Sequence, residues 1–249
     1  MMVTHARRSV LLAKVSQCFS QEVRNFDLEA PVPSAAWPTI SRLVDHLGGI
    51  YLWGAGIASS GETADRRQVP AAPEKDLVVW FDECRNTLLV ALNEADPERP
   101  CWTLVNSAGT TAFWTRRMLF ETTKHLIDIR ASGQATLAPA SELDAATYAD
   151  GIDELLEVFL SRSRKHLAPL PRPLVLSAID VDRQWTLSED WQLLDSAPAQ
   201  STRVSAHCED LALFVWERAD PARAPERFLI EGPIDAVNAF AASPVHPST

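Results

Sequence analysis

The segment Arg117-Met-Leu-Phe-Glu121-Thr-Thr-Lys-His125 carries the residue types best suited to chemistry in this chain of 249 residues. Glu121 and His125 stand four apart, so a helix puts both on one face, about 6 Å apart along its axis. A carboxylate oxygen and an imidazole nitrogen at that spacing can close on one divalent cation. A histidine from an earlier helix, His46, would supply a third ligand. Three protein ligands leave a coordination position open, which is the arrangement of a catalytic rather than a structural metal. The same spacing also serves plain surface pairs, and a histidine beside an apolar face is often a core residue satisfied by its neighbours. His46 and His125 are nevertheless the histidines expected mid-helix beside apolar stripes. His5, His207 and His246 fall near termini or in a short loop, and His166 closes a helix, where it complements the dipole.

Residues around this pair extend the pattern. Asp128, nearly one turn after His125, is suited to orient a ligand imidazole, and equally suited to satisfy a core one. Arg116 and Arg117 precede Glu121 by a turn and are candidates for an anionic substrate or for plain solvation. Cys208 beside His207 lacks a base and an orienting carboxylate at motif spacing, so a nucleophile is not expected there. The run Asp150-Gly-Ile-Asp153-Glu154 is expected to open a helix, where acidic side chains favour the positive end of the dipole.

The elements that must position these residues follow from periodicity. Val15, Phe19, Val23 and Phe26 mark a first helix, ended by Pro31 and Pro33. Pro38 suits the first turn of a second, striped by Ile40, Leu43, Val44, Leu47 and Ile50, with His46 beside the stripe. A loop is expected over 61–74. A third helix follows, with Leu77, Trp80, Phe81, Cys84, Leu88 and Leu92 on one side. Trp102 and Trp114 bracket the entry to the fourth helix, which bears Arg117, Glu121 and His125; a loop over 132–139 leads out of it. Ala149, Ile152, Leu155, Leu156 and Phe159 mark a fifth helix ending near His166. Pro169-Leu-Pro-Arg-Pro173 cannot continue a helix and reads as a boundary, dividing residues 1–168 from 174–249. Beyond it, strands are expected at 174–180, around Trp185, around Val204 and at 228–230, with helices over 210–218 and 234–242. The expected fold class is mainly α, a helical bundle followed by a small α+β domain.

Composition narrows the function classes. A net charge of −10 and a pI near 5.1 argue against a nucleic-acid binder, which needs basic patches. Cys18, Cys84, Cys101 and Cys208 are scattered without C-x-x-C spacing and suit reduced thiols of a cytoplasmic protein. No segment approaches the length and apolarity of a membrane span or a signal peptide.

Three motifs in order resemble a known family: Trp37-Pro-Thr-Ile-Ser-Arg-Leu-Val-Asp-His46-Leu, Arg117-x-x-x-Glu121-x-x-x-His125-x-x-Asp128, and Ala149-Asp-Gly-Ile-Asp-Glu-Leu-Leu156. Together they resemble the mycothiol-dependent maleylpyruvate isomerase family, a branch of the DinB-like metal-binding four-helix bundles. Leu176-Ser-Ala-Ile-Asp180, Trp185-Thr186, Asp210 to Arg218 and Ile230-Glu-Gly232 resemble that family's C-terminal domain. The resemblance implies that His46, Glu121 and His125 bind one divalent metal, usually zinc, and that mycothiol is the cosubstrate. It also implies an arginine from the C-terminal domain, for which Arg218 is the nearest match; Glu217 departs from the small residue or glycine that relatives often carry there. A thiol transferase or a cis–trans isomerase acting on a small electrophile, such as an unsaturated keto acid, is the expected activity. The ligand set alone equally allows a hydrolase that activates water, or a bundle that binds metal without catalysis. The expected partners are the small-molecule substrate and mycothiol, with the protein a monomer or homodimer.

Overall fold

The computed structural model describes residues 3–33, 37–73, 76–105, 109–132 and 139–245. The expected loops 61–74 and 132–139 fall partly outside these residues, and His246 wholly so. Contacts sort the chain into two compact units, one spanning Val3–Glu142 and the other running from Leu143 onward.

Among the described residues the N-terminal unit holds four long helices. Helix α1 (His5–Val23) begins at Thr4, whose hydroxyl accepts from the Arg7 N–H, and buries Leu12, Val15, Phe19 and Val23. It stops one residue before Arg24, so Phe26 lies beyond the helix and is only half-buried. Helix α2 (Ile40–Ser60) is capped by the Thr39 hydroxyl, which accepts from the Arg42 N–H, so Pro38 precedes the cap instead of filling the first turn. Gly61 ends α2 at φ 81, the left-handed conformation that glycine adopts without a Cβ clash. A 3₁₀ turn (Arg66–Gln68) lies in the following loop. Helix α3 (Leu77–Glu94) buries Phe81, Cys84, Leu88 and Leu92. The Trp80 ring seats against α2 at Gly48, where an added Cβ would lie 2.4 Å from it. Strands β1 (Pro100–Cys101) and β2 (Gly109–Thr110) form an antiparallel ribbon that leads into α4 (Ala112–Ala131). In this unit α1 packs mainly on α4 and α2 mainly on α3, with α2 also against α4. The Tyr51 and Thr122 hydroxyls, 2.6 Å apart, tie α2 to α4.

Helix α4 departs from an ordinary amphipathic helix. Sixteen of its twenty residues are buried, and they include Arg117, Glu121, Lys124, His125 and Asp128. Charged groups are rarely buried unless paired or ligating. The functional site should therefore lie on α4.

The C-terminal unit begins with α5 (Ala145–Glu154), which runs through a π-helical stretch (Leu155–Leu160) into a short α6 (Ser161–Ser163). Its N-cap is Asp144, whose carboxylate accepts from the Thr147 N–H at 3.0 Å. The acidic run 150–154 thus lies late in the helix and does not open it, which corrects the sequence expectation. Asp153 instead accepts from the Trp185 indole at 2.7 Å and from Arg183. Because α5 packs on α7 (Cys208–Val215), the contact division falls at Glu142–Leu143, ahead of the expected Pro169–Pro173 boundary. A five-stranded sheet follows the order β5-β4-β3-β6-β7, formed by Leu193–Leu194, Gln184–Leu187, Leu174–Ala178, Thr202–Ala206 and Leu229–Glu231. Strands β3 and β6 are parallel and the other pairs antiparallel. The two-residue β5 carries no alternating pattern and was not legible in the sequence. Helix α8 (Asp235–Ala241) packs against β6. No described helix is long and apolar enough to cross a membrane.

Helix α7 ends in a Schellman motif. The Arg218 N–H donates to the Leu213 carbonyl at 2.7 Å and the Glu217 N–H to the Phe214 carbonyl at 3.0 Å. Glu217 consequently sits at φ 63, where a Cβ is strained and glycine is not. That explains why glycine suits this position. Glu217→Gly should raise stability by about 1 kcal/mol, whereas Glu217→Ala, which keeps the Cβ, should gain nothing comparable. Urea unfolding of the two variants measures the difference.

Candidate metal centre

Three candidate ligands converge in the N-terminal unit, and two helices bring them together. His46 comes from the second turn of α2; Glu121 and His125 come from successive turns of α4. One carboxylate oxygen, Glu121 Oε1, lies 3.1 Å from His46 Nε2 and 3.3 Å from His125 Nε2. The three ligand atoms all fall within 4.8 Å of one another, and all three residues are buried. A divalent cation at the centre of such a set would be within reach of two imidazole nitrogens and one carboxylate oxygen, a donor set suited to zinc and similar ions. The residues fit a metal.

The remaining lone pairs of the carboxylate are also engaged. Glu121 Oε2 accepts from the Arg117 guanidinium and lies 3.2 Å from Lys124 Nζ. Burial opposes ionisation of Glu121. Even so, Lys124 and Arg117, then the contacts with His125 and His46, hold its carboxyl well below the usual carboxylate range. Burial pushes His46 below the ordinary imidazole range, against the contact with Glu121, and so favours the neutral form that ligates. His125 Nδ1 lies 3.0 Å from Asp128 Oδ2, which leaves Nε2 facing Glu121. This contact serves both roles open to Asp128, orienting a ligand imidazole and satisfying a buried one.

Residues 16–130 match the family model described as the mycothiol maleylpyruvate isomerase N-terminal domain. This region belongs to that domain family. The matched stretch includes His46, Glu121 and His125 together with Arg117, Lys124 and Asp128. Two solved structures are similar over nearly the whole chain: a crystal structure of the mycothiol-dependent maleylpyruvate isomerase, and one of its histidine-to-alanine mutants. Their TM-scores are 0.66 and 0.67, each with 14% sequence identity, covering 93% of this chain and 95% of theirs. At that identity the likeness establishes the fold, including that of the C-terminal unit. No curated protein sequence matches this chain.

The sequence expectations divide at this point. The structure brings His46, Glu121, His125 and Arg117 together around one carboxylate. Arg117, a candidate for an anionic substrate or for plain solvation, pairs with Glu121 itself. Arg218 lies in the C-terminal unit, where its guanidinium donates to the Trp216 carbonyl. With Glu217, Asp220 and Phe214 it lines a cavity of about 340 Å³ in that unit. Cys208 is buried, its backbone N–H donates to Asp180 at 2.9 Å, and burial pushes its thiol up to about 12, which disfavours the thiolate.

Two cations went unnoticed in the sequence. Lys124 stands three residues from Glu121, a spacing that would have marked it. Arg66 is placed by the loop after α2, with its guanidinium carbon 5.7 Å from the centre of the Trp53 ring, and its charge acts on both His46 and Glu121. Only a loop path sets that proximity, so no sequence period could announce it. Trp53 belongs to a cluster with Trp102 and Trp114, in which the Trp114 indole donates to the Trp102 carbonyl at 2.9 Å. Trp53 stands seven residues after His46, and Trp114 seven before Glu121, so each tryptophan continues the face of its helix that bears the ligand.

Proposed function

We propose that this protein is a metal- and mycothiol-dependent enzyme, a cis–trans isomerase or thiol transferase acting on a small anionic electrophile such as an unsaturated keto acid. The observation that carries the reading is the convergence of two buried imidazole nitrogens on one oxygen of Glu121, within a region of the mycothiol maleylpyruvate isomerase N-terminal domain family. A divalent cation held by His46, Glu121 and His125, zinc being the leading candidate, would supply Lewis acidity that makes a cosubstrate thiol anionic at neutral pH, where a free thiol with a pKa near 8.5 is mostly protonated.

The chain's own residues do the rest. His46 is held neutral and available, Asp128 orients His125, and Arg117 with Lys124 keeps Glu121 ionised while burying its second oxygen. These cations and Arg66 set a positive field around the ligands, which favours an anionic thiol and an anionic substrate over neutral ones. Attack of the thiolate on an alkene carbon moves an electron pair onto the conjugated carbonyl oxygen. Rotation about the resulting single bond and expulsion of the thiolate yields the isomer, whereas protonation at carbon leaves a thioether. We assign Arg218 to the substrate carboxylate, on the strength of its family motif.

The test is thiol dependence. Turnover of unsaturated keto acids, followed by chromatography that separates cis and trans isomers and by mass spectrometry for thioether products, should require mycothiol, with glutathione a poor substitute. Full turnover in thiol-free buffer would instead identify a hydrolase.

A further inference from the structure

The two imidazoles of the candidate metal centre are supported in different ways. His125 is oriented by Asp128 through Nδ1, the usual arrangement, in which a ligating histidine is fixed by a hydrogen bond to its second nitrogen. His46 has no such partner among the described residues; the hydrogen-bond contact it makes is through Nε2 to Glu121. An imidazole is free to turn about its outer torsion, which has a broad, two-fold profile, unless something holds its plane. The indole of Trp37 lies flat on that plane. The ring centroids are 4.0 Å apart and the planes 25° from parallel, while the His125 ring meets His46 edge-on at 5.1 Å.

Trp37 is itself held. It precedes Pro38, which confines its backbone to extended conformations. The segment around it is pinned by the Val32 N–H donating to the Pro38 carbonyl at 3.3 Å, and by the bridge between Pro31 and Thr39. Just beyond, the Ile40 and Ser41 N–H groups donate to the Ala30 and Leu28 carbonyls at 3.1 and 2.8 Å. The indole is therefore carried on an anchored strap that enters α2 two turns before His46.

We propose that Trp37 is the positioning residue for His46: its ring fixes the imidazole plane so that Nε2 stays aimed at Glu121, the task that Asp128 performs for His125 by hydrogen bonding. This rests on the metal reading above, and zinc ion alone is a sufficient probe. Protein stripped with chelator is titrated with zinc against a chromophoric competitor, with circular dichroism recorded for each variant. Trp37→Leu, which keeps apolar bulk without a flat ring, and Trp37→Ala should each weaken zinc affinity roughly 10-fold or more. Trp37→Phe, which keeps a stacking face, should stay within about 3-fold of the parent. Should the alanine variant fail to fold, the leucine and phenylalanine pair carries the comparison. Leucine binding zinc as tightly as tryptophan, or phenylalanine losing as much as leucine, would overturn the positioning role and leave the metal site standing. Parent protein that binds no zinc would overturn both.

Discussion

Replacing His125 with alanine should abolish stoichiometric divalent-metal binding and reduce turnover to background. The physical reason is that His125 Nε2 is one of three ligand atoms within 4.8 Å of one another, and no other described histidine stands near enough to replace it. Losing an outer hydrogen-bond partner of a ligand costs about 10–100-fold in affinity, and losing the ligand should cost more. The fold should survive. Asp128 forfeits one buried hydrogen bond, a cost of about 1–3 kcal/mol, which a chain of this size tolerates. The measurement is metal content after dialysis beside helical circular dichroism. Retention of one equivalent of metal by a folded His125→Ala protein would exclude this residue from the ligand set.

Glu121→Ala should damage both binding and stability, and the second effect separates it from His125→Ala. The carboxylate stands between two buried cations, Arg117 and Lys124, as well as between two imidazoles. Breaking a buried ion pair by removing one partner costs about 3–5 kcal/mol, because the remaining charge stays in a poorly solvating environment. The pH dependence carries the same signature, with a sign that follows from proton linkage. Glu121 has its folded pKa depressed below its unfolded value, so its contribution is fully present above the unfolded value and is lost as pH falls through the folded one. His46 is also depressed; its neutral form is the stable one, so its contribution is complete above about pH 6.5 and fades on acidification. Metal-free protein should thus lose stability as pH falls from neutrality. The step below the usual carboxylate range should be absent in Glu121→Gln. Urea unfolding from pH 3 to 8 would show this, and an unchanged acid limb in the glutamine variant would refute the role of Glu121 in compensating the two cations.

The local ingredients were written in the chain. The i, i+4 spacing of Glu121 and His125 places both on one helix face whatever the rest of the protein does, because 3.6 residues per turn is a property of the backbone. The apolar stripes of α1 to α3 and the alternation in β6 follow from side-chain direction in the same way. Glu217 before Arg218 could be quoted from the sequence as a departure from the family, but its meaning lies in the local backbone: the Schellman geometry at the end of α7 gives the position a positive φ. Four matters required the folded chain. His46 lies 75 residues before Glu121, and its meeting with Oε1 depends on how α2 packs on α4. The burial of α4 on nearly every side made Arg117, a candidate for an anion or for solvation, and Lys124, unmarked in the sequence, the compensating partners of Glu121. The packing of α5 on α7 decided to which unit that helix belongs. The stacking of Trp37 on His46 depends on a strap whose path is set by hydrogen bonds back to residues 28–32. Spacing along a helix is fixed by covalent geometry; proximity between elements arises from packing that many distant residues determine together, so no short stretch of sequence announces it.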